Sequence, residues 1–138
     1  MNCTFCDQPL VILELDKIEV DYCTSCRGIW LDEGELELLL QDSEEKDKLL
    51  NSFRVDKTSI EIPVKCPICF RKMDKVLCGD KNKITLDECT LKHGLWFKKN
   101  ELRNVVEMGS LDKENKIVKL LKEMFAYNLK SNHKNLNR

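Results

Sequence analysis

The chain has 138 residues, of which 34% are charged, and its formal net charge is -1 at pH 7. This near-neutral balance excludes a globally basic nucleic-acid binder but leaves local basic patches open. Eight cysteines in so short a chain predict either disulfides or metal ligands as the groups that stabilise the fold.

The N-terminal segment decides between these two uses of cysteine. It has no basic stretch, and its longest apolar run, Leu10 to Leu13, is far shorter than a signal sequence or a membrane span. We therefore expect a cytoplasmic chain without a membrane association, in which reduced thiols are free to bind metal.

The first four cysteines follow the pattern C-x2-C-x16-C-x2-C. Between the two pairs, apolar and polar residues alternate across 11–20, with a turn near Asp16, which predicts a β-hairpin. Two C-x-x-C turns, or zinc knuckles, at the ends of a hairpin can each present two thiolates to one tetrahedral ion. The spacing therefore predicts a structural zinc ion at Cys3, Cys6, Cys23 and Cys26.

After the second knuckle, the apolar period changes to that of a helix. Leucines recur at helical spacing from Leu36 to about residue 42, and Asp32 with Glu35 resembles a capping box at the helix start. The first predicted domain is therefore 1–42, a zinc ribbon with its helix. Residues 43–63 are predicted to form a helical and extended linker.

The segment 64–108 repeats the first domain, which indicates an internal duplication. The aligned pairs are Cys3 with Cys66, Cys6 with Cys69, Asp21 with Asp87, Cys23 with Cys89, Gly28 with Gly94, Trp30 with Trp96 and Glu35 with Glu101. The fold class predicted is small, α+β and metal-stabilised, with two tandem zinc ribbons and a C-terminal amphipathic helix.

The second copy differs at its fourth ligand position. It reads C-x2-C-x19-C-x3-H, because Lys92 stands where a cysteine is expected and His93 follows it. The imidazole is longer than a thiol side chain and would recover the lost reach, so we expect zinc at Cys66, Cys69, Cys89 and His93. Cys78 and a water molecule remain the alternatives for the fourth position.

Residues 110–130 are predicted to form the C-terminal helix, followed by a disordered tail at 131–138. An apolar stripe from Ile117 to Phe125 is opposed by a face of lysines. We expect the stripe to pack on the ribbons. Pairing of two chains through this helix is the alternative, so a monomer and a homodimer both stay open.

The stretch C-x-x-C-x-G-I-W-L-D-x-G-E-L, from Cys23 to Leu36, resembles the small prokaryotic zinc-ribbon family named after the zinc finger of transcription factor IIB. The knuckle Cys66-Pro-Ile-Cys69 fits the opening motif of that family. The resemblance implies two zinc ribbons without an established enzymatic activity, and His-Gly-x-Trp variants of the family support His93 as a ligand.

The glycine and tryptophan of this stretch have a structural interpretation. Gly28 and Gly94 are expected to let the backbone fold tightly below the knuckle. We expect Trp30 and Trp96 to pack the helix of each copy onto its own hairpin.

These observations leave three functions. The first is a non-enzymatic adaptor that binds an unidentified protein, in transcription or translation. The alternative is DNA or RNA binding by the second ribbon and the last helix, with possible contacts at Arg27, Lys92, Lys98, Lys99 and Arg103. A zinc enzyme with an open second site ranks last, because the sequence has no H-x-E or H-E-x-x-H motif and no catalytic residue is assigned.

Overall fold

The computed structural model describes residues 1–108, 111 and 116–136, with side chains to residue 126. Its elements in chain order are β1 (Asn2–Cys3), β2 (Gln8–Pro9), β3 (Val11–Leu15), β4 (Ile18–Tyr22), β5 (Ile29–Asp32), α1 (Glu35–Leu39), α2 (Glu44–Asn51), β6 (Arg54–Val55), β7 (Asp74–Cys78), β8 (Ile84–Glu88), β9 (Gly94–Phe97), α3 (Glu101–Glu107) and α4 (Lys116–Leu136). We refer to 1–42 as ribbon 1 and to 64–108 as ribbon 2.

The two ribbons share one antiparallel sheet. Its seven strands lie in the order β3-β4-β5-β9-β8-β7-β6, and β1 pairs with β2 in a separate two-stranded sheet. Three strands of ribbon 1 are therefore followed by the three strands of ribbon 2 in reverse order, and β6 of the linker lies outermost. The predicted α+β fold with tandem zinc ribbons is confirmed. Joining the sheets buries both inner edges and removes the need for each small ribbon to fold on its own core.

The junction between β5 and β9 is symmetric. Its register pairs Ile29 with Phe97, Trp30 with Trp96, Leu31 with Leu95 and Asp32 with Gly94. Trp30 and Trp96 are equivalent in the duplication, as are Ile29 with Leu95 and Leu31 with Phe97. Exchanging the two ribbons therefore leaves the first three pairs in the same positions. A pseudo-twofold axis therefore passes through the tryptophan pair.

The two faces of the sheet carry separate cores. On one face, alternate residues such as Ile29, Leu31 and Phe97 join the helices in a large aliphatic cluster. On the other face, Trp30 and Trp96 form a second cluster with the cysteines of the knuckles. The expectation that each tryptophan packs its helix onto the hairpin is wrong, because side chains alternate between faces along a strand and the helices lie on the opposite face.

Each tryptophan packs on the glycine of the other ribbon. A Cβ atom at Gly28 would lie 2.1 Å from the Trp96 ring, and one at Gly94 would lie 2.7 Å from the Trp30 ring and 2.2 Å from the Leu31 carbonyl oxygen. The glycines therefore allow the close approach of the two ribbons. This role differs from the expected tight turn below the knuckle.

The capping interaction of α1 is half of the predicted one. The Glu35 carboxylate accepts from the Asp32 backbone N–H at 2.6 Å. The Asp32 carboxylate instead accepts from the Trp30 Nε1–H at 2.8 Å, and Gly34 is the residue that precedes the helix, with φ of 88°. Asp32 therefore orients the indole and does not cap the helix.

The linker is part of the structure of ribbon 2. Within 43–63, α2 is capped by Ser43, whose hydroxyl oxygen accepts from the Lys46 N–H at 3.2 Å, and β6 extends the sheet beyond β7. Residues 56–64, which we call the strap, then cross the metal-side face of ribbon 2. The Asp56 N–H donates to the Lys75 carbonyl at 2.7 Å, and the Met73 N–H donates to the Val64 carbonyl at 2.9 Å.

The last helix packs on the helix side of the sheet. Ile117, Val118, Leu121 and Met124 are buried there, so the apolar stripe packs within the chain as expected. The helix runs to Leu136, which corrects the disordered tail predicted for 131–136, since no glycine or proline interrupts that segment. The predicted start at 110 lies outside the described residues.

Candidate metal centres

The four cysteines of ribbon 1 converge on one point. All four Sγ atoms lie within 4.8 Å of one another, and the Cys3 and Cys26 Sγ atoms are 3.9 Å apart. A tetrahedral zinc ion with Zn–S bonds of about 2.3 Å requires an S···S separation of about 3.8 Å, so the cluster has the required size. Backbone N–H groups of Cys6 and Cys26 point at the Cys3 and Cys23 sulfurs, at 3.4 and 3.5 Å.

Ribbon 2 builds an equivalent cluster with one imidazole. The Cys69 and Cys89 Sγ atoms are 3.7 Å apart, and the His93 Nδ1 atom lies 3.4 Å from the Cys89 Sγ and 3.9 Å from the Cys66 Sγ. These separations suit one zinc ion bound by three sulfurs and one nitrogen. Both clusters lie on the same face of the sheet, beside the tryptophan pair.

The backbone explains how His93 takes the place of a cysteine. In the other three knuckles, the residue after the second cysteine has a positive φ and closes the turn, as Arg27 does by donating its N–H to the Cys23 carbonyl at 2.8 Å. In the fourth knuckle, Lys92 has the positive φ of 62°, and its N–H donates to the Cys89 carbonyl at 2.9 Å. The turn therefore closes one residue earlier, and the next side chain reaches the cluster.

The ladder after the altered turn regains its register at once. The Cys23 N–H donates to the Gly28 carbonyl at 2.9 Å, and the Cys89 N–H donates to the Gly94 carbonyl at 3.1 Å. These two bonds are equivalent in the duplication. The change at residues 92 and 93 therefore stays local and leaves β9 in place for the junction.

Cys78, the alternative fourth donor, lies in a different part of ribbon 2. It pairs with Ile84 at the far end of the hairpin and is fully buried in the helix-side core. Its equivalent in ribbon 1 is Leu15, which is buried in the same way. Cys78 therefore serves as a small apolar core residue.

Burial disfavours some of the free thiolates in each cluster, whereas hydrogen bonds from backbone N–H groups outweigh burial at Cys23 and Cys69, whose pKa values are lowered. Burial raises the pKa of the Cys3 thiol to about 11 and that of the Cys66 thiol to about 11, although backbone N–H groups oppose the shift in each case. A bound divalent cation overcomes this cost, since a coordinating thiol is deprotonated by the ion itself. The two clusters are thus suited to two zinc ions, as predicted.

Residues 2–42 match the family model described as "Transcription factor zinc-finger". Ribbon 1 is therefore similar to the zinc ribbons of the transcription factor IIB type. The resemblance noted from the sequence is confirmed, and the second cluster, at residues 66–93, is consistent with a tandem copy of this zinc ribbon. No curated protein and no solved structure matches the chain.

The residues proposed from sequence as nucleic-acid contacts do not form one free basic surface. Four of the five have intramolecular partners: Arg27 lies over the Phe125 ring at 5.8 Å, Lys92 pairs with Glu88 at 2.7 Å, Lys98 pairs with Glu61, and Arg103 pairs with Glu107 at 3.2 Å. Lys99 is exposed. No helix of the described residues is long and apolar enough to cross a membrane.

A buried ion pair in ribbon 2 was not anticipated from the sequence. The Lys75 Nζ atom lies 2.5 Å from Asp87 Oδ1 and also donates to the Ile62 carbonyl of the strap at 2.8 Å. Burial raises the pKa of Asp87, and the Lys75 ammonium opposes that rise. The only sequence signal is a lysine at an inward position of the β7 alternation, opposite an aspartate at a duplicated position.

Proposed function

We propose that this chain is a non-enzymatic zinc-binding adaptor, which presents a metal-stabilised surface to a protein of the cytoplasmic transcription or translation machinery. Its zinc ligands would be Cys3, Cys6, Cys23, Cys26, Cys66, Cys69, Cys89 and His93. The observation that carries the proposal is that each cluster brings together four donors from the chain itself. Structural zinc sites have this closed donor set, whereas catalytic sites keep one position for water or substrate.

The joined sheet supports an adaptor because it makes the two ribbons one rigid unit. The register across β5 and β9, the reciprocal glycine contacts and the bond from the Glu33 N–H to the His93 carbonyl at 3.0 Å all restrict movement of one ribbon against the other. A preorganised surface loses little conformational entropy when a partner binds. Zinc adds stability on the metal side of the sheet, where the buried cluster is the smaller of the two.

The positions of the basic residues favour a protein partner over nucleic acid. Phosphate binding would have to displace Glu61 from Lys98 and Glu88 from Lys92, and each displaced carboxylate would remain near the phosphate. Nucleic-acid binding by this surface would break ion pairs within the chain. A purely basic patch has no such pairs to break.

Affinity capture of the zinc-loaded protein from its own host, with and without nuclease, tests the proposal. We expect one or a few defined proteins that survive nuclease and are absent from a Cys66→Ser control, in which the second cluster loses a donor. Recovery dominated by DNA or RNA and abolished by nuclease would contradict the adaptor. Substrate turnover that depends on bound zinc would also contradict it.

A further inference from the structure

The outer strands of the sheet differ between the two ribbons. In ribbon 2, β7 lies between β8 and β6, whereas in ribbon 1 the equivalent strand, β3, pairs only with β4 among the described residues. Ile12 on β3 is 65% exposed, while Lys75, its equivalent, is 8% exposed. Ribbon 1 therefore has an open strand edge where ribbon 2 has a covered one.

The covering of ribbon 2 shows what this kind of surface binds. First, β6 adds to the edge of β7, with Arg54 opposite Leu77 and Val55 opposite Val76. The strap then crosses the adjoining face, where Glu61 pairs with Lys98 and lies 3.7 Å from the Lys75 Nζ atom. An extended segment is thus held by backbone pairing at the edge and by one charged side chain on the face.

The net charge of the equivalent three positions is negative in ribbon 1 and positive in ribbon 2. Ile12 replaces Lys75, and Asp32 replaces Lys98, while Asp21 keeps the position of Asp87. An acidic residue such as Glu61 would meet two carboxylates there. A lysine or arginine at that point would instead be attracted to both.

We propose that the outer edge of β3 and the face formed by Ile12, Asp21 and Asp32 bind an extended segment of a partner protein, which carries a lysine or arginine where the strap carries Glu61. The inference rests on the proposed adaptor function and gives it a surface and a partner chemistry. Binding of this kind is β-strand addition, in which backbone hydrogen bonds give affinity and side chains give specificity.

A second copy of the chain fits this surface poorly. Its own β6 and strap are already paired with its ribbon 2, and they carry Glu61. The helix α4 does not cover the surface either, because it packs on the helix-side face, where Leu15 points, and leaves Ile12 exposed.

Two peptides test the proposal on the full zinc-loaded chain. One is the native segment 52–64, SFRVDKTSIEIPV, and the other carries Glu61→Lys. We expect the lysine peptide to bind at least about ten-fold more tightly, and its binding to slow amide exchange in Val11–Leu15, since a pair of close charges is worth at least about 1.4 kcal/mol here. Equal affinity of the two peptides, or protection confined to another element, would overturn the proposal.

A charge exchange in the protein provides the matched test. Asp32→Lys gives ribbon 1 the residue that ribbon 2 has at position 98, and should reverse the preference toward the native peptide. Glu44→Lys, on the exposed surface of α2, makes the same charge change elsewhere and should leave the preference as in the unmodified chain. An unchanged preference in Asp32→Lys would show that the face does not read charge and would overturn the proposal.

The remaining outcomes separate this surface from the adaptor function. If host proteins are captured equally well by Asp32→Lys, the result supports the adaptor function and contradicts the proposed binding surface. If the lysine peptide is preferred but no protein is captured specifically, the result supports the binding surface and contradicts the adaptor function. Protection of Val11–Leu15 without peptide, rising with protein concentration, would identify a second copy as the occupant and overturn the proposal.

Discussion

The two ribbons have the same fold and nearly the same zinc site, but the outer strand and the metal-side face are covered in ribbon 2 and exposed in ribbon 1. Ribbon 2 is enclosed by its own chain: β6 covers its edge, the strap covers its face, and a buried ion pair fastens the strap. Ribbon 1 has no such cover in the described residues. Duplication has therefore produced one copy that is stabilised internally and one whose equivalent surface is left for another molecule.

The difference shows which features of a zinc ribbon are required and which are free to change. The knuckles, the central glycines and the tryptophans are present in both copies and determine the metal clusters and the junction. The charges on the metal-side face differ because they contact the strap in one copy and solvent in the other. Four experiments test these differences and likenesses between the ribbons.

Removal of the fourth metal donor should have the largest effect in either ribbon. Cys26→Ser or His93→Ala should each release one of two zinc ions and unfold the affected ribbon, because structural zinc contributes about 10–16 kcal/mol in small domains. Native mass spectrometry gives the zinc count, and amide exchange locates the unfolded ribbon. Cys78→Ala is the control and should keep both ions, whereas a His93→Ala variant with two ions would remove His93 from the ligands.

Loss of the buried lysine should affect ribbon 2 alone. Lys75→Met leaves Asp87 buried without its partner, and we expect a loss of about 3 kcal/mol in the free energy of unfolding. Denaturant titration measures this loss. Ile12→Met, the equivalent change on exposed β3, should stay within about 0.5 kcal/mol. Equal effects at the two positions would mean that the covering of ribbon 2 contributes nothing to its stability.

An added methyl group at the junction should weaken the contact between the ribbons. Gly94→Ala places a Cβ atom 2.2 Å from the Leu31 carbonyl oxygen, whereas Gly28→Ala meets the Trp96 ring. We expect losses of about 3 and about 2 kcal/mol, since a backbone atom yields less easily than a side chain. Gly34→Ala, where only the φ of 88° opposes a side chain, should cost about 1 kcal/mol. Thermal unfolding of the three variants measures these losses.

The smallest effect concerns the carboxylate that begins α3. Burial raises the pKa of Glu101 from 4.5 to about 7, although the hydrogen bond that its carboxylate accepts from the Lys98 N–H opposes the rise. The folded chain thus holds this proton more tightly than the unfolded chain, so stability from Glu101 is full below pH 4.5 and is lost as the pH rises to about 7.

Glu101→Gln keeps an acceptor but does not titrate. From pH 6 to pH 8 the unfolding free energy of the unmodified chain should fall relative to that of the variant by about 1 kcal/mol. Comparing the two proteins at each pH cancels the common pH dependence of the thiolates. A difference that does not change with pH would show that Glu101 is not protonated preferentially in the folded chain.

The zinc clusters were predictable from sequence because metal ligation is encoded locally. A knuckle needs a short turn and two donors, so C-x-x-C spacing and the duplication together identify seven cysteine ligands. The greater length of the histidine side chain, one residue beyond the expected position, identifies His93. The hairpins and the amphipathic α4 follow from the apolar period in the same way.

The junction and the strap were not predictable because they depend on which distant segments meet. The alternation of β5 shows that Trp30 is on the face opposite Leu31, but it does not show that the helices take the Leu31 side. The position of Asp32 suits it to capping the helix, but its carboxylate accepts a hydrogen bond from the Trp30 indole N–H instead. Lys75 and Asp87 gave a weak signal, since a charged pair on a strand is usually solvated.

The pairing of Trp30 with Trp96 also determines the order in which the molecule can be assembled. These residues are 96 − 30 = 66 positions apart, whereas each hairpin and zinc cluster joins residues much nearer in the chain. Closing a longer loop costs more entropy, so each ribbon should fold around its metal before the two halves meet. During synthesis, the first ribbon would then emerge with the edge of β5 and one tryptophan face bare, and only completion of the second copy would protect them.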